Sequence, residues 1–163
     1  MRLRHEFEVD RSVDEVWGRL WDVELVAGCI RGCTDVRTVE PFRSYAATIS
    51  QSLGPFRVAF PLAIEVRDMQ PPRSLSVAGT GRDARIASRV QGTLDACLSE
   101  ADGGGTRVVV DVDLALQGRI ATLGHGIVER KGRDELAHFA EALRETLSRS
   151  ADAPGTEPVA RDA

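Results

Sequence analysis

The side chains best suited to acid–base chemistry are few and scattered along the chain. His5, Tyr45 and Ser88 fall on the inward faces of predicted strands, and His125 falls on a predicted helix. General acid–base catalysis needs such a group within hydrogen-bond reach of the substrate. None of the four lies in a nucleophile motif, and no Ser-His-Asp or Cys-His spacing can be read from the sequence. We therefore predict a non-catalytic protein. The alternative is a polyketide cyclase-like or hydrolase-like enzyme acting on an aromatic or hydrophobic substrate.

Three cysteines raise the question of a metal site. Cys29 and Cys33 are spaced like one half of a metal clip, but Cys97 is distant and no second pair exists. The three histidines are also far away in sequence, whereas a structural zinc site needs four ligands. We predict that the protein binds no metal and no cofactor, and that its three cysteines are reduced thiols.

Length and charge restrict the class of protein. A chain of 163 residues is enough for one domain, and 42% apolar with 28% charged residues is an ordinary globular composition. A net charge of -4 argues against a general binder of nucleic acid or of anionic membranes. Charges alternate through residues 1–10, unlike a signal-peptide core, and no long apolar run could span a bilayer. We expect a cytoplasmic protein whose membrane contact is peripheral at most.

The hydrophobic pattern supplies the elements that must position these side chains. Residues 2–9 alternate as a half-buried strand does. Ser12 and Glu15 form a capping box that begins a short helix, and Asp22 caps a second one that ends at Gly28.

Six further strands are predicted between about residues 34 and 117, with the clearest alternation in residues 56–66. After Gly118 the period changes to 3.6, which predicts one amphipathic helix of about thirty residues. The fold class is therefore α+β: a curved seven-stranded antiparallel sheet wrapped around a long C-terminal helix, with two short helices after the first strand. We assign residues 1–149 to this domain and predict that the polar residues 150–163 form a disordered tail.

A sheet with one apolar face must be covered, and the long helix is the only element of sufficient length. Several inward positions of the strands carry small residues, namely Ala47, Gly79, Gly81, Ser88 and Gly92. The helix contains Gly124, Gly126 and Gly132, each costing about 1 kcal/mol relative to alanine inside a helix. Either these small residues leave room for a ligand, or they permit close packing of helix on sheet. Residues 129–135 are mostly charged and interrupt the apolar stripe of the helix. They form either a solvated face, the polar mouth of a cavity or a docking surface.

Three segments resemble one protein family. Residues 22–33 (DVELVAGCIRGC), 53–55 (LGP) and 117–124 (QGRIATLG) are similar to the corresponding segments of the G-subunit family of carbon monoxide dehydrogenase. This family lies within the START-like (helix-grip, polyketide-cyclase-like) superfamily, whose element order is also found here. The chain departs from the family at Arg31, where proline is usual, and its short polar tail differs from the membrane-attaching extension of some members.

The resemblance implies a non-catalytic accessory protein of a molybdenum-hydroxylase-type carbon monoxide dehydrogenase. Such proteins are thought to link the enzyme to the membrane and to carry a quinone or similar lipid. From strand parity we predict a cavity lined by Val58, Phe60, Val77, Ile86, Ser88, Leu123 and Ile127, with His5 or Tyr45 near a polar headgroup. A third possibility is a protein-docking module with a filled core and a surface patch at residues 130–133.

Overall fold

The structure, a computed structural model, describes residues 1–149 and consists of a curved sheet and the helices that cover it. The strands are β1 (Arg2–Val9), β2 (Cys33–Glu40), β3 (Ser44–Leu53), β4 (Phe56–Gln70), β5 (Ser74–Asp83), β6 (Ser88–Glu100) and β7 (Thr106–Gly118). The α-helices are α1 (Val13–Leu20), α2 (Val23–Gly28) and α3 (His125–Arg149), and short 3-10 turns cover Ala84–Ile86 and Arg119–Leu123. The predicted tail, residues 150–163, lies outside the described residues.

All seven strands form one antiparallel sheet in the order β1-β7-β6-β5-β4-β3-β2. Neighbours in sequence pair as hairpins from β2 to β7, and β1 closes onto β7 along its whole length. The predicted fold class is therefore confirmed, including the two short helices after the first strand. The capping box of α1 is present as predicted, since the Ser12 hydroxyl accepts a hydrogen bond from the Glu15 N–H at 3.2 Å.

Two local predictions were wrong at the ends of elements. The C-terminal helix begins at His125 and not directly after Gly118, because Gly118 (φ 89°) and Gly124 (φ 93°) bound a separate 3-10 turn. Gly124 is therefore outside the helix rather than within it. Ile86 lies in the other 3-10 turn and not in a strand, because Ala87 adopts a left-handed conformation (φ 48°) before β6 begins.

Buried apolar side chains form two separate clusters under α3. The larger contains residues from α1, the end of α2, β1, β6, β7 and the second half of α3: Val9, Val13, Val16, Cys29, Leu98, Val108, Val110, Leu143 and Leu147. The smaller contains Leu53, Val58, Phe60 and Ile120 from the β3–β4 hairpin and the turn before α3. The C-terminal half of α3 is thus packed into a solid core, whereas residues of its first half stand over the space between the clusters.

Gly132 shows how closely α3 approaches the sheet. A Cβ built on Gly132 would lie 2.7 Å from Cδ1 of Leu3 on β1, which is too close for an undisturbed contact. The packing explanation for a helix-interior glycine therefore applies at this position, although Gly132 also borders the cavity described below.

Removing a large side chain from the larger cluster tests whether α3 is held by this packing. Leu143 is 1% exposed, and Leu143→Ala should lower the free energy of unfolding by about 3 kcal/mol because it leaves a cavity. The measurement is urea denaturation. Glu145 is exposed on the same helix, and Glu145→Ala should change the free energy of unfolding by no more than about 0.5 kcal/mol. Equal midpoints for the two variants would contradict this account of the helix.

Candidate functional site: an apolar cavity and an adjoining polar cavity

An apolar cavity of about 350 Å³ lies between α3 and the concave face of the sheet. Its wall is almost entirely carbon and is built from alternate residues of five strands and from the start of α3. It is lined by Met1, Ile49, Gln51, Leu53, Val58, Phe60, Leu62, Ile64, Val77, Ala78, Gly79, Val90, Gly92, Thr93, Leu94, Val112, Leu114, Leu116, Ile120, Val128, Lys131 and Gly132. This volume is within the range of roughly 300–1,000 Å³ that is typical of small-molecule sites.

The hollow exists because side chains are missing from the middle of the sheet. Gly79 on β5 lies directly opposite Gly92 on β6, and both line the cavity. In the same row of the sheet, Ile64 and Leu114 flank the two glycines. A Cβ built on Gly79 would find its nearest neighbours at 3.8 Å, an ordinary van der Waals distance, so this position has room for a side chain. The pair of glycines therefore forms a bare floor between taller apolar residues.

Gly81 and Gly92 also serve close packing. A Cβ on Gly92 would lie 2.8 Å from the carbonyl oxygen of Asp113, and one on Gly81 would lie 2.6 Å from Leu62 Cδ2. The two explanations offered by the sequence thus apply at different positions: room for a side chain beside the cavity at Gly79, and tight contact at Gly81 and Gly92.

The residues predicted to line a cavity do not all lie together. Val58, Phe60 and Val77 are in the cavity wall. Ile86 and Leu123 pack against the smaller apolar cluster instead, each from a 3-10 turn. Ile127 is 43% exposed near the start of α3, outside the described wall. Among the predicted strand residues, Val58, Phe60 and Val77 border this cavity and Ser88 does not, and strand parity could not place the residues in turns or in the helix.

The two residues proposed for a headgroup also lie away from the cavity wall. His5 is half-buried on β1, with its ring centroid 6.2 Å from that of Phe7. The Tyr45 hydroxyl accepts a hydrogen bond from the Phe42 N–H at 2.8 Å and so closes the β2–β3 turn. Their assignment as ligand-binding residues stays a prediction that the geometry does not favour.

Ser88 is a structural link at the end of the sheet. It is 2% exposed, its hydroxyl donates to the Ile86 carbonyl at 3.0 Å, and it accepts from the Ile120 N–H at 3.0 Å. Ile120 is itself fully buried and lines the cavity. One hydroxyl therefore joins the two 3-10 turns, and a buried N–H would lose its partner without it.

A second cavity, of about 490 Å³ and largely polar, adjoins the first. It is lined by Arg31, Gly32, Ser50, Gln51, Ser52, Arg57, Val58, Ala59, Arg85, Lys131 and Glu135. Gln51, Val58 and Lys131 line both cavities. The sequence analysis missed this site, because its charged residues come from separate segments of the chain.

Two carboxylates hold cations around the polar cavity. Glu135 on α3 accepts from Arg31 at 2.9 and 3.1 Å, and from Lys131 at 3.2 Å. Burial opposes ionisation of Glu135, but these hydrogen bonds outweigh it and keep its pKa below the ordinary value. The stretch around residues 129–135 thus contributes Lys131 and Glu135 to a polar cavity, as one of the sequence interpretations proposed.

Asp83 fixes the other side of the polar cavity. This carboxylate is 3% exposed, and it accepts hydrogen bonds from Arg85 Nη2 (2.8 Å), the Ala59 N–H (2.8 Å) and the Arg85 N–H (3.1 Å). The side chain of Arg85 first, and the Ala59 N–H second, lower the pKa of Asp83. Asp83 therefore joins the end of β5 to β4 and orients the Arg85 guanidinium.

Comparison with known proteins shows which family this chain belongs to. The family of the G subunit of carbon monoxide dehydrogenase (CoxG) matches residues 6–148. The chain belongs to this family. The comparison with curated protein sequences found no match to this chain.

Solved structures show the same fold. A conserved protein from Geobacillus kaustophilus is 19% identical with a TM-score of 0.82, over 92% of this chain and 97% of that chain. A protein from Thermus thermophilus is 16% identical with a TM-score of 0.70, over 93% and 100%. An aromatase/cyclase from a Streptomyces species is 15% identical with a TM-score of 0.66, over 94% and 96%. At these identities the likeness establishes the START-like fold alone.

Two further properties concern the described residues. No helix within residues 1–149 is both long enough and apolar enough to cross a membrane. In the same range, no three side chains of His, Cys, Asp or Glu lie together as metal ligands would.

Asp83→Asn tests the buried carboxylate. At neutral pH it should destabilise the fold by about 1–3 kcal/mol, because hydrogen bonds to a buried charged acceptor are weakened. The folded-state pKa of Asp83 is lowered, so its contribution is present above the unfolded pKa of about 3.9 and is lost as pH falls through the folded pKa. Urea denaturation should therefore show the variant and the wild type converging in acid. The exposed Asp95→Asn is the matched control, and an equal effect there would contradict the assignment.

Ser88→Ala tests the link between the two turns. It should lower the free energy of unfolding by about 1–2 kcal/mol, because the buried Ile120 N–H loses its acceptor. Thermal or urea unfolding measures this effect, with the exposed Ser99→Ala on the same strand as control. If Ser88→Ala is as stable as the control, the hydroxyl does not carry the link.

Proposed function

We propose that this protein is a non-catalytic accessory protein that binds an apolar small molecule, a quinone or another lipid, in the apolar cavity under α3. The observation that carries the proposal is the apolar cavity itself, with Gly79 in its floor and an aliphatic and aromatic wall around it. A core that only had to be filled would carry a larger side chain at Gly79, where a Cβ meets nothing closer than 3.8 Å.

The energetics of such a site favour binding without chemistry. Each Å² of apolar ligand surface removed from water contributes about 25 cal/mol, which requires shape but no reactive group. The polar side chains in the described wall are Gln51, Thr93 and Lys131. Of these three side chains only that of Lys131 is titratable, and its ammonium lies 3.2 Å from Glu135.

We further propose that the protein acts together with a molybdenum-hydroxylase-type carbon monoxide dehydrogenase. Family membership supports this association, because the family is named for a subunit of carbon monoxide dehydrogenase. We also propose that the protein is cytoplasmic and contacts the membrane peripherally, because a carrier of a lipid-soluble molecule has to reach the membrane. The net charge of -4 supports a partner other than nucleic acid.

Native mass spectrometry before and after organic extraction tests the proposal. A hydrophobic adduct that extraction removes is the expected result. Turnover of an aromatic polyketide without a stable adduct would favour the cyclase-like alternative. If neither adduct nor turnover is found, the proposal is wrong and a docking module is favoured.

Gly79→Leu supplies a variant that fills the cavity. Gly79 lines the cavity and has room for a Cβ, so a leucine there should occupy part of the cavity and weaken binding of an apolar ligand about tenfold or more while the fold persists. Displacement of a neutral fluorescent dye, N-phenyl-1-naphthylamine, measures the affinity. Thr80→Leu, on the exposed face of the same strand, should bind as the wild type does. Unchanged binding in Gly79→Leu would show that the ligand lies elsewhere.

A further inference from the structure

One end of the sheet is formed by connecting segments that contain no acidic residue. These segments, called the turn end below, include the β3–β4 turn and the two 3-10 turns: residues 53–57, 84–89 and 117–127. They meet in space, because a Cβ on Gly54 would lie 3.1 Å from Leu123 Cδ2 and the Arg119 N–H donates to the Ala87 carbonyl at 3.3 Å. The turn end is therefore one continuous surface.

Exposed arginines without partners lie in the turn end or directly beside it. Within residues 1–149 their side chains make no ion pair and no hydrogen bond: Arg57, Arg82, Arg89 and Arg119. Arg85 is also present but is paired with the buried Asp83, and Glu129, the first acidic residue after the turn end, is paired with Arg133. The unpaired arginines therefore give this end an excess of positive charge.

Strand pairing places two of these arginines side by side. Arg82 on β5 lies directly opposite Arg89 on β6, and the next partner in the row is the neutral Gln117 on β7. Arg57 alternates with the cavity residue Val58, so it lies on the same outer face of the sheet. Like charges opposite each other destabilise a strand pair, and such local conflicts are typical of functional surfaces.

Acidic side chains on the outer face are too distant to neutralise this charge. Asp95 follows Arg89 by six residues on β6, and Asp113 precedes Gln117 by four residues on β7. At about 3.3 Å per residue the separations are about 20 and about 13 Å, whereas the Debye length at physiological ionic strength is about 8 Å. The turn end is therefore locally positive although the whole chain has a net charge of -4.

The turn end also exposes apolar side chains. Ile127 is 43% exposed, and three others are only partly buried against the smaller cluster: Phe56, Ile86 and Leu123. Leu53 and Ile120 belong to the same segments and line the apolar cavity. The positive and apolar surface thus lies at one end of the cavity.

This combination of side chains indicates the kind of partner. Guanidinium groups form strong hydrogen bonds with phosphate, and an anionic bilayer surface attracts clustered arginines. The interfacial layer of a bilayer also accepts apolar side chains such as that of Ile127. A nucleic acid would pair with the arginines but would leave Ile127 in water, so the observations favour a lipid surface.

We propose that the turn end is the surface by which this protein docks on an anionic lipid bilayer. The unpaired arginines bind headgroup phosphates, and Ile127 enters the interfacial layer. This inference rests on the proposed function and deepens it, because it assigns the peripheral membrane contact to one end of the molecule. Docking in this orientation brings the end of the cavity at Leu53 and Ile120 towards the bilayer, from which an apolar ligand is taken.

Flotation of the full chain with lipid vesicles tests the docking surface. Vesicles of phosphatidylcholine containing about one quarter phosphatidylglycerol should bind the protein about tenfold more tightly than vesicles of phosphatidylcholine alone. This preference should be lost between about 0.05 M and about 0.5 M salt, because the attraction is electrostatic.

Charge variants assign the preference to the arginines. Arg82→Gln combined with Arg89→Gln should weaken binding to the anionic vesicles about tenfold or more. Arg37→Gln combined with Arg73→Gln is the matched control, because it removes the same charge from exposed positions on β2 and in the β4–β5 turn, away from the turn end. Urea denaturation should show no loss of stability in the first variant, since an opposed pair of like charges is removed.

An apolar pair of variants tests insertion. Ile127→Ser should weaken vesicle binding about fivefold, because less apolar surface leaves water. Val39→Ser is the control, since Val39 is 63% exposed on β2 and lies outside the turn end.

The outcomes separate this inference from the proposed function. Equal vesicle binding by the two charge variants, or a loss in Val39→Ser as large as in Ile127→Ser, would overturn the docking surface. Binding to duplex DNA or polyglutamate in the absence of vesicle binding would overturn it as well. Binding of N-phenyl-1-naphthylamine should persist in Arg82→Gln with Arg89→Gln, because neither residue lines a described cavity. Failure of the wild type to bind this dye would count against the apolar carrier, whatever the vesicles show.

Discussion

The need to cover one apolar face of a large curved sheet with a single helix governs this structure. The second half of α3 meets the requirement by close packing, with Leu143 and Leu147 buried among residues of β1, β6 and β7. The first half stands over the part of the sheet where Gly79 and Gly92 carry no side chain. Because a protein interior is otherwise filled to crystal-like density, the missing side chain at Gly79, where a Cβ would fit, helps to leave a hollow.

Buried polar groups stabilise the end of the sheet beside this hollow. The Ser88 hydroxyl connects the turn before β6 to the turn before α3, and the Asp83 carboxylate connects the end of β5 to β4. Both groups are almost completely buried and fully hydrogen-bonded, as buried polar groups must be to avoid a net cost. These hydrogen bonds therefore connect β4, β5 and the two 3-10 turns at this end of the sheet.

Fold and site carry different information about function. The START-like frame is found here in a member of the CoxG family and also in an aromatase/cyclase of 15% identity. A fold that is shared by proteins of different function does not indicate which function a protein has. The two linings differ in chemistry, with an aliphatic wall in one cavity and more arginines than carboxylates in the other. Arg31, where the chain departs from the usual proline of the family, belongs to that second lining.

The sequence by itself determined the elements and the inward face of each strand. The alternation in residues 56–66 placed Val58 and Phe60 in the cavity wall, and Ser12 with Glu15 predicted the start of α1, because both patterns depend only on local backbone geometry. The tertiary structure decided the rest. Ile127 is exposed and Ile86 lies in a turn, since a left-handed Ala87 and the two glycines around residues 119–123 change the direction of the chain. Arg31, Arg57, Arg85 and Lys131 meet only after folding, because no local pattern records which distant segments will pack together.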